Sequence, residues 1–167
     1  HPRWLMREQS LWTPIGIMSG KACPLMNEQG MIEVDEGSFS IEPIVSINGK
    51  IITWADVEIS QSLRHEWMPI PCVTWKARTW SLTIEAYSNE GVLHISYKIE
   101  GHAKAAKPKV YLAIRPFQVT PPWQHFRKLG GMSPIHDLSW DGERVFVNKT
   151  TQLRPLGTAK FGTLSFD

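Results

Sequence analysis

Apolar and polar residues alternate along most of this chain, which is the period of a half-buried β-strand. In "GSFSIEPIVSINGKIITWADVEIS", apolar residues take every second position on both sides of Asn48-Gly49. A two-residue turn at Asn48-Gly49 would set apolar positions opposite polar ones. A three-residue loop from Ile47 to Gly49 pairs Val45 with Ile51 and keeps one apolar face. The pattern therefore favours a hairpin with the longer loop.

A second hairpin is predicted in "SLTIEAYSNEGVLHISYKIEG", where the same alternation resumes after a polar stretch. A four-residue loop from Ser88 to Gly91 matches Ile84 with Ile95 and again leaves one apolar face. The segment "HAKAAK" that follows is polar and without pattern, and we interpret it as an exposed loop. The strand "KVYLAIR" comes directly after it.

The third hairpin and the scarcity of helical spacing together indicate the fold class. In "LSWDGERVFV", the favoured two-residue turn Asp141-Gly142 sets Leu138 opposite Val145. Thr120 before Pro121 is a helix start signal, and glycines at 130 and 131 are a stop signal, so at most a short helical turn is expected near 120–129. Regular strands and turns predict an all-β fold, an antiparallel β-sandwich forming a single domain over 1–167.

Length and charge limit the class of protein. A chain of 167 residues can bury a real core. Its net charge of +2 comes from scattered basic residues, so we expect no nucleic-acid partner. No apolar run reaches the roughly 20 residues of a membrane helix, so no membrane span is expected. The chain begins at His1 and ends inside a strand pattern, from which we expect a fragment excised from a larger protein.

The tryptophans and cysteines each leave two interpretations open. Eight tryptophans are many for this length. Each buries roughly 150–250 Å² in a core or an interface, but a flat indole face can also cover the apolar face of a sugar ring. Cys23 and Cys72 lack CxxC spacing, so they are either separate thiols or one bridge.

No catalytic constellation is apparent. His94 occupies the polar face of its strand, which is typical of a solvated histidine. Asp56 and Glu58 share a strand face and could form a carboxylate pair, although that face is the polar side of the first hairpin. Asn148-Lys149-Thr150 matches a glycosylation sequon. We therefore predict no catalytic residue, no metal site and no cofactor.

Several segments together carry a family resemblance: "LWTPIG", "FSIEPIVSINGKIITWADVEISQSL", "MPIPCVTW" and "AIRPFQVTPPWQ" followed by "GGMSPI". They resemble an N-terminal region of large bacterial proteins, mostly uncharacterised and some labelled coagulation factor 5/8 type (discoidin-like). Those proteins are similar in layout to glycosidases and phosphorylases that join a β-supersandwich to an (α/α)6 barrel. The resemblance implies a noncatalytic accessory domain whose partner is the adjacent domain of the same protein, because the catalytic acids of such enzymes belong to the barrel.

The stretch "AIRPFQVTPPWQ" is the candidate contact surface within that resemblance. Its prolines stiffen the chain and reduce the entropy lost when a loop docks. Arg115 offers a planar fork of donors to a carboxylate or to hydroxyls, and Trp123 and Gln124 complete the predicted contact residues. The alternative hypothesis is a carbohydrate-binding module whose exposed tryptophans stack on sugar rings.

Overall fold

The computed structural model describes residues 11–16, 22–101, 108–120 and 131–162. Over these residues the fold is all-β with antiparallel sheets, which confirms the predicted fold class. The chain divides into two compact units, His1–Ser133 and Pro134–Asp167. The prediction of one domain over 1–167 stays a prediction.

The first unit contains a six-stranded sheet, which we call sheet A. Its order is β1-β2-β3-β4-β10, and the short strand β5 also pairs with β4. All of its pairings are antiparallel. The strands are β1 (Trp12–Pro14), β2 (Leu25–Asn27), β3 (Ile32–Glu33), β4 (Ser40–Ile47), β5 (Lys50–Ile52) and β10 (Lys109–Arg115).

A four-stranded antiparallel sheet, sheet B, follows β5 in the chain and has the order β6-β7-β8-β9. Its strands are β6 (Glu58–Arg64), β7 (Met68–Lys76), β8 (Ser81–Asn89) and β9 (Val92–Glu100). A 3-10 turn at Trp54–Asp56 connects the two sheets. Thr53 caps this turn, because its hydroxyl accepts from the Ala55 N–H while the Asp56 carboxylate accepts from the Thr53 N–H.

Sheets A and B share one hydrophobic core, as a sandwich requires. Met26, Ile32 and Val45 of sheet A join Trp75, Leu82 and Ile84 of sheet B in this core. Phe39, Ile41 and Ile84 are buried, and Ile95 packs against the same core, as the alternation predicts.

The turn between β2 and β3 contacts sheet B through a hydrogen bond and a close packing contact. Trp75 is fully buried, and its indole N–H donates to the Gln29 carbonyl at 2.8 Å. The next residue, Gly30, has a φ of +86° and lies against Ile84, so a Cβ at this position would collide with the Ile84 side chain. Glycine is required there for both reasons.

The predicted loop of the first hairpin is wrong. Val45 pairs with Ile52, and Ile47 pairs with Lys50, which leaves a two-residue turn at Asn48-Gly49. Both turn residues have positive φ, 52° and 81°, as a tight hairpin turn requires. The alternation favours the longer loop because that loop aligns apolar residues as far as 57, but β5 ends at Ile52 and the chain then crosses to sheet B. No single apolar face therefore has to extend past Ile52.

The other two hairpins form, but with a different register. In β8–β9, Ile84 pairs with Tyr97 and the turn is Glu90-Gly91, so the predicted four-residue loop is wrong. The register moves by two residues, which keeps every side chain on its predicted face. In the third hairpin the loop is longer than predicted, not shorter. Leu138 pairs with Val147, and a four-residue loop replaces the predicted Asp141-Gly142 turn.

The side chain of Asp141 explains the longer third loop. Its Oδ1 accepts from the Glu143 N–H at 2.9 Å and the Arg144 N–H at 2.7 Å, which closes a local turn. These two backbone hydrogen bonds are the main cause of a lowered Asp141 pKa. The carboxylate thus stabilises two more loop residues than the dipeptide Asp-Gly alone suggests.

The second unit is built on the three-stranded meander β11 (Leu138–Trp140), β12 (Val145–Val147) and β13 (Thr151–Leu153). Val145 and Val147 are buried. The Trp140 and Phe161 rings stack with centroids 6.1 Å apart. Of the helical turn predicted near 120–129, the structure describes Thr120 alone, and the predicted loop at 102–107 lies outside the described residues.

Candidate functional site

Arg115 lies at the end of β10, on the outward face of sheet A. Its guanidinium donates to the carboxylate of Glu42 on the neighbouring strand β4. The same guanidinium lies 5.2 Å from the centre of the Phe117 ring, within the range of a cation–π contact. Arg115 thus has a carboxylate partner and an aromatic partner within this chain.

Alternation along β4 places Glu42 on the face of sheet A that points away from the main core. Ile32 and Val45 face sheet B, and Ile41 pairs with Ile32 in register, so the even-numbered residues of β4 point outward. Glu42 is nevertheless buried, with only 8% of its side chain exposed, and Arg115 keeps 23%. A largely buried carboxylate needs a charged partner, which Arg115 supplies.

Glu33 is a second buried acid on the same face. Its Oε2 accepts from the Val119 N–H at 2.7 Å, and its Oε1 accepts from the Gly37 N–H at 2.9 Å. Val119 itself packs with Leu25 and Met31 in a small hydrophobic cluster. Leu25 and Met31 adjoin the core residues Met26 and Ile32, so this cluster lies on the opposite side of sheet A from the main core. Glu33 thereby fastens the segment after β10 onto the outer face of sheet A.

The segment after β10 also has a backbone partner. The Gln118 N–H donates to the Gly131 carbonyl at 2.9 Å, and the Ser133 N–H donates to the Pro116 carbonyl at 3.0 Å. An antiparallel bridge joins Phe117 to Met132 between these bonds. We call these two short segments, 116–120 and 131–133, the stem. The stem holds both ends of the ten residues 121–130.

The predicted contact residues Trp123 and Gln124 belong to those ten residues and lie outside the described part of the chain. For Arg115, the structure gives a position and an internal partner, and its contact with a carbohydrate or a domain stays a prediction. Glu33 and Glu42 were not among the residues predicted from the sequence. The available signal was an acid within each of the buried strands "IE" and "SIEPIVSI".

Sheet B carries a second Arg–Glu pair on its own outward face. Arg64 of β6 donates to Glu85 of β8, and Cys72 of the intervening strand lies below with its Sγ 3.4 Å from Glu85 Oε1. The hydrogen bond from Arg64 lowers the pKa of Glu85. Burial is the main reason that the pKa of the Cys72 thiol rises to about 11. The pair is therefore ionised at neutral pH, and the thiol is protonated.

The two cysteines and His94 have different surroundings from those that the sequence left open or predicted. Cys23 and Cys72 are both free thiols, Cys23 exposed and Cys72 buried, so the bridge is excluded. The His94 ring stacks on the Tyr87 ring, with centroids 4.8 Å apart. His94 is thus a half-buried member of an aromatic pair rather than a fully solvated side chain.

The predicted Asp56–Glu58 carboxylate pair does not share a strand face. Asp56 belongs to the 3-10 turn, and its carboxylate accepts hydrogen bonds from the Thr53 N–H at 2.9 Å and the Thr53 hydroxyl at 3.0 Å. Glu58 begins β6 opposite Lys76. Both acids border a surface depression of about 660 Å³ that Lys76 and Arg78 also line. The capped turn leaves no pair arranged for acid–base catalysis here.

The sequon asparagine has a structural role in the second unit. Asn148 Oδ1 accepts from the His136 N–H at 2.8 Å, and its Nδ2 donates to the Pro134 carbonyl at 3.0 Å. Asn148 and Lys149 both have positive φ and form the tight turn between β12 and β13. The side chain therefore fastens the segment before β11 to this turn.

Within the described residues, no group of three or more histidine, cysteine or acidic side chains is arranged to bind a metal ion. The same part of the chain holds no helix with the length and apolarity needed to cross a membrane. Comparisons with protein-family models, curated proteins and solved structures found no match for this chain.

Proposed function

We propose that this chain is a noncatalytic accessory β-sandwich of a carbohydrate-processing bacterial protein, and that it packs against the catalytic part of that protein. The all-β fold and the segment resemblance described above support this proposal. The single observation that carries it is the anchoring of the segment after β10 on sheet A by Glu33, where Val119 N–H donates at 2.7 Å.

A docking surface gains affinity when it keeps its shape before the partner arrives, because less conformational entropy is then lost on binding. The stem meets this requirement because three contacts fix it. Glu33 accepts from the Val119 N–H, Arg115 lies against the Phe117 ring, and a bridge joins Phe117 to Met132. Trp123 and Gln124 follow the stem in the chain and are proposed as the residues that touch the partner. Arg115 is proposed to position the stem through Glu42 and Phe117.

Hydrogen–deuterium exchange on this chain alone and within the complete parent protein tests the proposal. We expect peptides covering 116–133 to exchange more slowly in the parent protein, and Trp123→Ala to remove that difference. Peptides of the outward face of sheet B serve as the internal control. Equal exchange of 116–133 in both proteins would contradict the proposal, and so would a parent protein without a carbohydrate-active domain.

A second function, carbohydrate binding by exposed tryptophan, is favoured by one observation. Trp67 is 72% exposed at the turn between β6 and β7, whereas Trp75 and Trp80 are buried in the core. That turn places two non-glycine residues, His65 and Glu66, at positive φ. A glycan panel titrated against the chain, its Trp67→Ala variant and its Trp123→Ala variant separates this function from the docking function, which predicts no glycan binding through Trp67 or Trp123.

A further inference from the structure

The outward face of sheet B combines an ion pair, an aromatic stack and a hydroxyl. Glu85 is the centre: Arg64 pairs with it from two strands away, and Ser96 lies directly opposite it on β9. Two residues along the same strands, the Tyr87 ring stacks on His94. We call these five residues, Arg64, Glu85, Tyr87, His94 and Ser96, the Tyr87 patch.

The members of the Tyr87 patch are held in place before any ligand arrives. The Arg64–Glu85 pair spans three strands of one sheet, with the buried thiol of Cys72 beneath it. Tyr87 is 37% exposed, and its partner His94 restricts its ring. Fixed donors, acceptors and an aromatic face lose little entropy when they bind a ligand.

We propose that the Tyr87 patch binds a neutral sugar ring. The Tyr87 ring would cover the apolar face of the pyranose. Arg64 retains free N–H donors for a sugar oxygen, and Glu85 and Ser96 retain lone pairs for sugar hydroxyls. This inference rests on the carbohydrate-related role proposed above, but it uses a different surface from the stem.

Charge decides between neutral and acidic sugars. The guanidinium of Arg64 is already neutralised by Glu85, whose pKa is lowered by that hydrogen bond, so the patch has no net positive charge to attract a carboxylate. A uronate placed against Arg64 would also meet the charge of Glu85. The paired charges therefore fit the vicinal hydroxyls of a neutral ring better than an acidic one.

The test is calorimetric titration of the chain with cellohexaose, xylohexaose and mannohexaose, and with hexagalacturonic acid as the acidic probe. We expect at least one neutral hexaose to bind, and Tyr87→Ala and Arg64→Ala each to weaken it about tenfold or more. Tyr111→Ala, a half-buried tyrosine of β10 on sheet A, is the matched control and should bind as the unaltered chain does. Melting curves of each variant verify folding.

Three results would overturn the inference. These are no binding of any hexaose at about 1 mM, binding of the acidic probe alone, and binding that Trp123→Ala or Tyr111→Ala abolishes while Tyr87→Ala does not. None of them bears on hydrogen exchange at 116–133 in the parent protein, so the docking function is tested separately.

Discussion

Among the described residues, the outward faces of sheets A and B each carry an Arg–Glu pair, yet the two pairs have different surroundings. On sheet A, the pair Arg115–Glu42 has side chains 23% and 8% exposed and lies beside the stem. On sheet B, the pair Arg64–Glu85 is 32% and 22% exposed and lies beside Cys72 and Tyr87. The more buried pair stabilises a fixed backbone segment, while the more open pair keeps donors and acceptors available to a ligand.

The neighbouring side chains of the two Arg–Glu pairs also differ. Glu33 adds a second buried acid on the same face, with Ser40 between it and Arg115 in the register, and both of its oxygens accept from backbone N–H groups. Beside Arg64 lie a protonated thiol and an exposed tyrosine instead. Residue type alone therefore does not assign a role to an Arg–Glu pair; the covering chain and the neighbouring acceptors do.

The largest effect is expected at Glu33. Glu33→Ala leaves the buried N–H of Val119 and the half-buried N–H of Gly37 without this acceptor, which should lower the free energy of unfolding by about 2–4 kcal/mol. Urea denaturation measures the change. Glu58→Ala, an exposed acid at the start of β6, is the control and should change stability by less than about 0.5 kcal/mol. Equal losses in the two variants would refute the anchoring role of Glu33.

The two arginines provide the next contrast. Arg115→Ala leaves the buried carboxylate of Glu42 without its charged partner and should lower the free energy of unfolding by about 1–3 kcal/mol. The loss is smaller than for a fully buried pair because part of the guanidinium is exposed. Arg64→Ala should lower the melting temperature less, because Glu85 reaches water more easily. Parallel thermal melts of both variants decide. A larger drop for Arg64→Ala would reverse the comparison.

The smallest effect concerns the thiol under the open pair. At about pH 8, near the ordinary thiol pKa, Ellman's reagent should label the exposed Cys23 quickly and leave Cys72 unreacted. Burial raises the pKa of Cys72 to about 11, so it stays protonated as well as hidden. The Cys23→Ser variant should then react only after denaturation. Rapid labelling of that folded variant would show that the face of sheet B opens.

How far the sequence predicts this fold is clearest at the hairpins. Alternation assigns the faces correctly because side chains of a strand change sides at every residue, so Ile84 and Ile95 reach the core whatever the loop length. The registers depend on turn geometry instead. They fail at Ser88–Gly91 and Asp141-Gly142, where left-handed residues or an aspartate side chain set the loop.

The site was harder to predict than the hairpins. Arg115 could be singled out, but its partner Glu42 is 73 residues away, and Glu33 is 86 residues from Val119. These contacts arise because β10 returns to pair with β4 after the chain has formed all four strands of sheet B. Alternation within a strand carries no information about which distant strand becomes its neighbour, so buried acids at Glu33 and Glu42 could not be matched to their partners.

Native-state hydrogen exchange of the Val119 amide is the most direct test of the anchored stem, because this N–H bonds to Glu33 alone among the described residues. We expect the Val119 amide to exchange as slowly as core amides of β7 such as Val73, and Glu33→Ala to speed its exchange while Val73 stays protected. Exchange of Val119 in the unaltered chain at the rate of an exposed turn residue such as Gly49 would contradict the anchoring of the stem by Glu33.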